Sequence, residues 1–170
     1  FYDKKKDVLF SVDHGPQGGD EINLNINPKS EKIKNYGWPI SSYGEHYGGK
    51  VEKNKKKYIK APLLKSHKNY GFIEPVKFFV PSIAPSDILL VPKKFDTEFK
   101  NNIYISSLGF DNKYDRRSIH TFHLNERLQI ENQEVIKLGD RVRDIEYSKN
   151  KNFIIMFLEK TGSIGILEKF

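Results

Sequence analysis

The chain has 170 residues, 37% hydrophobic and 13% aromatic, with 12 glycines, no cysteine and a formal net charge of +7. That is enough apolar material for a folded domain with a real core, and it argues against a disordered chain. The missing cysteines exclude disulfides, thiolate catalysis and cysteine-ligated zinc. No run nears the roughly 20 apolar residues of a membrane-crossing helix, so no membrane span is expected.

The opening FYDKKKD reads as the middle of a protein, so the lack of a signal peptide there says nothing of export. DVLFSV at 7–12 is a short β-prone run, and INLNI at 22–26 alternates as a half-buried strand does. Between them, DHGPQGGDEIN at 13–23 crowds a histidine, three glycines, a proline and paired carboxylates into one turn. Gly15, Gly18 and Gly19 admit backbone conformations closed to other residues, and Pro16 fixes its own φ, so carbonyls and amides as well as side chains can face a bound group. Asp20 and Glu21 suit a hard cation or a solvated turn alike. A polar connection at 27–34 leads to NYGWP, where Trp38, between Gly37 and Pro39, reads as a structural corner.

Residues 44–71 show no periodicity and read as one long excursion with a short hairpin around Tyr58 and Ile59. Residues 50–68 hold eight lysines against one glutamate, which is the whole of the positive excess. Such a loop is more often a solvated insertion than a nucleic-acid surface, and no nucleic-acid partner is expected. A strand over 75–79 feeds VPSIAPS, where Pro81 and Pro85 forbid a helix, hold the backbone extended and present Ser82 and Ser86 from a stiff segment. Beyond Asp87 come DILLV, NNIYISS, SIHTFHL, QEVIKL, RVRDIEY, NFIIMFLE and SIGILE, short β runs separated by polar, Gly, Asn and Asp breaks. This is the pattern of an all-β meander, closed as a sandwich, barrel or propeller.

Among the histidines, His120 and His123 stand three apart in a strand, face opposite sides and cannot share a metal. His46 and His67 have no partner at ligand spacing and read as solvated. His14 lies inside the glycine turn beside Asp13, where a carboxylate can set its tautomer or charge. Arg141 and Arg143 stand two apart and together suit a multiply charged anion; the plainer reading pairs them with Asp140 and Asp144 at the surface.

Four stretches in register, DHGPQGGDEIN, NYGWPISSYG, VPSIAPS and GDRVRDIEYS, resemble the glucose/sorbosone dehydrogenase family of soluble quinoprotein aldose dehydrogenases. The resemblance covers nearly the whole chain and corresponds to the C-terminal half of a family member. It implies about three blades of a six-bladed β-propeller, over roughly 1–85, 86–130 and 131–170, with the remainder of the propeller as partner. It also implies pyrroloquinoline quinone (PQQ) and calcium, a sugar oxidised at its anomeric carbon, and a periplasmic or secreted location. Carried over by motif, His14, Ser82, Arg141 and Arg143 would contact the quinone, and the carbonyls of Gly15 and Pro16 would hold calcium. No catalytic residue is assigned: the family's basic histidine belongs to the N-terminal half, and His14 does not match it.

Two positions depart from the family pattern. Gly109 and Phe110 stand where a basic residue is expected, with Lys113 and Arg117 as the nearest substitutes, and Val80 stands where some relatives carry tryptophan. Those departures give substance to a rival reading, a non-catalytic propeller binding carbohydrate or protein. Polyanion binding through the lysine loop ranks last. On its own the piece is expected to self-associate through uncovered sheet faces.

Overall fold

The computed structural model describes residues 1–49, 51–98, 102–109 and 117–168. The chain divides into two units, Phe1–Ser82 and Ile83–Phe170.

The first unit is an antiparallel sheet in the order β1 (Tyr2–Asp3), β2 (Val8–Asp13), β3 (Asp20–Ile26), β4 (Lys77–Phe79). In β2, Val8 and Phe10 are buried while Leu9 is exposed, the alternation of a sheet with one covered face. β3 pairs with β2 through Phe10↔Leu24 and Val12↔Ile22, and its start takes in Asp20 and Glu21. Those carboxylates therefore belong to a strand, and the turn proper is 14–19.

The excursion between β3 and β4 holds a 3-10 turn (Glu52–Asn54) running into α1 (Lys55–Lys60), where a hairpin was expected. KKKYIK lacks the alternation a hairpin strand needs, and lysine is a good helix former. Tyr58 tethers α1 by donating to Glu45 at 2.8 Å and standing edge-on to His46, ring centres 5.0 Å apart.

The second unit holds two antiparallel sheets. One runs β5 (Pro85–Leu90), β6 (Ile103–Ser107), β7 (Ser118–Leu124), β8 (Ile130–Lys137); the other runs β9 (Val142–Ser148), β10 (Phe153–Leu158), β11 (Ser163–Glu168). The stretch from 131 thus opens with the outer strand of the four-stranded sheet, and the break before the next sheet comes at Gly139 and Asp140. Leu89, Val91, Phe95, Tyr104 and Ile119 pack against Val142, Ile145, Tyr147, Ile154 and Met156. Phe95 stands edge-on to both Tyr104 and Tyr147, ring centres 5.6 Å apart in each case.

Two bulges interrupt the ladders. Asn132, with a left-handed φ of 51°, is the extra residue on β8, so alternation along β7 runs unbroken past His120 and His123. On β9, Val142 pairs with Leu158 and Asp144 with Phe157, which leaves Arg143 as the extra residue. Before β5 the VPSIAPS segment is not extended throughout: the Val80–Pro81 peptide is cis, and Ala84 takes a left-handed φ of 53°.

Candidate functional site

The 14–19 turn is held from inside. Asp20, fully buried at the head of β3, accepts the Gly15 amide N–H at 3.0 Å through Oδ1 and the Ser82 hydroxyl at 2.7 Å through Oδ2. Gly19 has φ of 72°, and its N–H donates to the Phe79 carbonyl at 2.7 Å. The turn also interlocks with residues 43–45. Gln17 and Glu45 exchange two backbone hydrogen bonds of 3.0 Å, and a Cβ on Gly44 would lie 2.1 Å from the Gly18 carbonyl oxygen. Only glycine permits that approach, and the result is a backbone whose carbonyls have fixed directions.

Beside the turn lies a cavity of about 340 Å³, lined among others by Asp13, His14, Gly15, Glu21, Asn23 and Trp38. His14 and Trp38 stand exposed at it, whereas Glu21 and Asn23 are buried. The lining is rich in acceptors. Asn23 Nδ2 donates to Asp13 Oδ2 at 3.0 Å and to Glu21 Oε2 at 3.2 Å, while its buried Oδ1 has no partner among the described residues. Burial pushes the Glu21 carboxyl up to about 7; the Asn23 bond opposes this, and the charges of Asp13, Glu74 and Asp20 add to it.

Behind Glu21 sits His67, expected from the sequence to be solvated. The structure overturns that: its side chain is fully buried, with Nε2 3.1 Å from Glu21 Oε1. Burial lowers its pKa and the charge of Glu74 partly restores it, so near neutral pH the pair is an uncharged imidazole beside a carboxyl that readily keeps its proton. Tyr43 stacks on Phe78 with ring centres 3.8 Å apart and donates a short hydrogen bond to Glu74. Burial and that bond push its phenol up to about 12. His46 is likewise more than a solvated side chain: it is half-buried, with Nε2 2.6 Å from the Ala61 carbonyl.

Arg141 and Arg143 face a single carboxylate from farther along the chain, Glu159. Arg143 forms a short ion pair with Glu159, and Arg141 Nε lies 3.6 Å from the same carboxylate. Asp140 is occupied elsewhere, accepting from Arg141 N, Lys160 N, Thr161 N and the Thr161 hydroxyl. Asp144 faces Asp87, whose carboxyl is raised by burial and by this neighbour. Glu159 follows the end of β10, where the bulge at Arg143 lies, and its N–H donates to the Arg141 carbonyl at 2.8 Å.

Of the two departures, Val80 is 60% exposed, and Gly109 is buried with its N–H donating to Ile83 at 3.1 Å. Phe110 and Lys113 lie outside the described residues. Arg117 is half-buried and uses its carbonyl to accept from Leu138 and Gly139, each at 3.1 Å. Among the described residues, no three His, Asp or Glu side chains gather as a metal centre, and no helix is long and apolar enough to cross a membrane.

Residues 1–166 match the family model described as glucose/sorbosone dehydrogenase. The chain is 26% identical over 167 residues to the uncharacterized protein slr1608 of Synechocystis sp., covering 98% of this chain and 35% of that one. It is 25% identical over 157 residues to the aldose sugar dehydrogenase YliI of Escherichia coli, covering 92% and 37%. The chain thus spans little more than a third of these curated relatives. A crystal structure of a glucose dehydrogenase superposes with a TM-score of 0.70 at 19% identity, covering 99% of this chain and 42% of the other. The fold is accordingly an all-β portion of a propeller.

Proposed function

Because the chain belongs to the glucose/sorbosone dehydrogenase family over residues 1–166, we propose that it is the part of a PQQ- and calcium-dependent aldose dehydrogenase that grips the cofactor. The observation carrying this reading is the locked His14-Gly15-Pro16 turn, tied through Asp20 to Ser82 and opening beside an acceptor-lined cavity. Main-chain oxygens of fixed direction suit calcium, and they include the proposed ligands, the carbonyls of Gly15 and Pro16. Arg141 and Arg143 share one carboxylate, so a positive charge is left over for an anion such as the tricarboxylate quinone. Each of the two sets, taken within its own unit, has the chemistry the group asks for.

In this reading His14 borders the quinone. Ser82 acts through Asp20, orienting the amide and carbonyls of the turn. The arginines hold and orient carboxylates. PQQ, when bound, supplies the two-electron oxidation of a sugar at its anomeric carbon. Export to the periplasm or outside the cell accompanies the proposal, as does assembly with the remainder of the propeller.

The test is a calorimetric titration of the protein with PQQ in the presence and absence of calcium. Binding that requires calcium and weakens in R141A and R143A is expected; no heat in any condition would refute the cofactor assignment. A second reading, a sugar-binding module without a quinone, is favoured by the close ion pair that already occupies Arg143. It predicts sugar binding that ignores PQQ.

A further inference from the structure

The lysine excess has a shape that the dehydrogenase reading does not use. α1 buries none of its residues, although so short a helix draws little stability from its own hydrogen bonds. Its hold on the body is Tyr58, half-buried between Glu45 and His46. At about 100° per residue, the side of α1 opposite Tyr58 carries Lys56 and Lys60, with Ile59 beside them and Lys55 beyond. Ile59 is 71% exposed, in the middle of that arc. Val51, just before the 3-10 turn, is also exposed. Glu52 is the carboxylate of the segment and pairs with Lys55 at 3.4 Å. The ammonium groups of Lys53, Lys56, Lys57 and Lys60 have no carboxylate partner among the described residues.

A single exposed isoleucine is ordinary on a protein surface; what marks Ile59 is the set of lysines about it on one short helix. Lysines around an exposed aliphatic side chain are the two signals of attachment to a charged membrane surface: ammonium groups meet headgroup phosphates and the aliphatic chain enters the boundary below them. A nucleic-acid groove would want aromatic faces for stacking bases, but the arc bears none, and Tyr58 is turned inward. We propose that α1 and its flanks, with Lys56, Lys60 and Ile59 turned away from Tyr58 and Lys53 and Lys55 flanking them, form a docking surface for anionic phospholipid. This inference does not depend on the quinone assignment.

The 170-residue protein is sedimented with vesicles of phosphatidylcholine, with or without phosphatidylglycerol. Expected are binding only when phosphatidylglycerol is present, loss of that binding in high salt, and a drop on the order of a hundredfold when Lys53, Lys55, Lys56 and Lys60 are changed to Gln. I59S should lose roughly fivefold, since only part of the side chain reaches the boundary. All five positions are exposed, so thermal melts of the variants should match the parent and separate lost binding from lost fold. No binding to phosphatidylglycerol vesicles at low salt would overturn the proposal. So would equal binding to pure phosphatidylcholine, or duplex DNA bound as tightly as vesicles with I59S indifferent.

Discussion

The strut from Ser82 to Asp20 permits a test that separates support of the turn from direct contact with a ligand. Ser82 and Asp20 are both buried, and Asp20 divides its oxygens between the Ser82 hydroxyl at 2.7 Å and the Gly15 amide at 3.0 Å. A hydrogen bond to a charged, buried acceptor is worth about 1.5–3 kcal/mol, and S82A leaves that acceptor short of a donor. We expect S82A to cost about 2 kcal/mol, read as a lower urea midpoint at unchanged slope. D20N keeps the acceptor for Gly15 but removes the charge that favours the hydroxyl, so the double variant should show a coupling of about 1 kcal/mol in a mutant cycle. An S82A change within about 0.5 kcal/mol of zero and no coupling would refute the strut. If in that case PQQ binding fell, Ser82 would be a direct contact.

Three further outcomes follow from the geometry. The Glu21 carboxyl is raised from 4.5 to about 7, so its native state keeps a proton that the unfolded chain gives up; its contribution is present below pH 4.5 and lost as pH rises through about 7. Allowing for solvent in the adjoining cavity, E21Q should remove about 1–2 kcal/mol of that decline. His67 pulls the opposite way below its ordinary 6.5, so the measurement is the difference between the two proteins across pH. Asp140 behaves oppositely to Glu21: burial raises it, but the Thr161 hydroxyl and the amides of residues 160, 141 and 161 outweigh this and hold it low. Its stabilisation is therefore present above pH 3.8 and lost as pH falls through the native value, and D140N should flatten the acid limb of the stability profile. F95A removes a ring that is 1% exposed and edge-on to two tyrosines, and should cost about 3–5 kcal/mol in urea unfolding.

What could be read from the sequence was whatever depends on near neighbours. The runs at 7–12 and 22–26 show their strand character through β-prone residues and alternation, and the structure places β2 and β3 there within a residue or two. The crowding of glycine, proline and carboxylate at 13–23 marks a special turn because each residue type restricts its own backbone. Local pattern failed where a partner lies far along the chain. His67 looked solvated because its carboxylate, Glu21, sits on β3, and a loop residue gives no sign of which strand it will fold against. For Arg141 and Arg143 the plainer sequence reading offers only the nearest acids, Asp140 and Asp144, while the carboxylate beside them, Glu159, arrives from the end of β10. α1 was missed for a different reason: Tyr58 and Ile59 are β-prone, but in a run of lysines with one inward anchor a single helical turn satisfies them better. The edge between the two sheets of the second unit is not visible in the sequence, because β8 carries the same alternation whichever sheet it joins.

If Arg141 and Arg143 hold an anion as proposed, their sharing of Glu159 sets an entry threshold. A small monovalent anion that approaches must compete with a carboxylate tethered to the same sheet, whose local concentration no salt in solution matches. A rigid molecule with several carboxylates can replace both contacts at once. Selectivity against chloride or acetate would then come from an occupant already in place, with no need for a narrow pore.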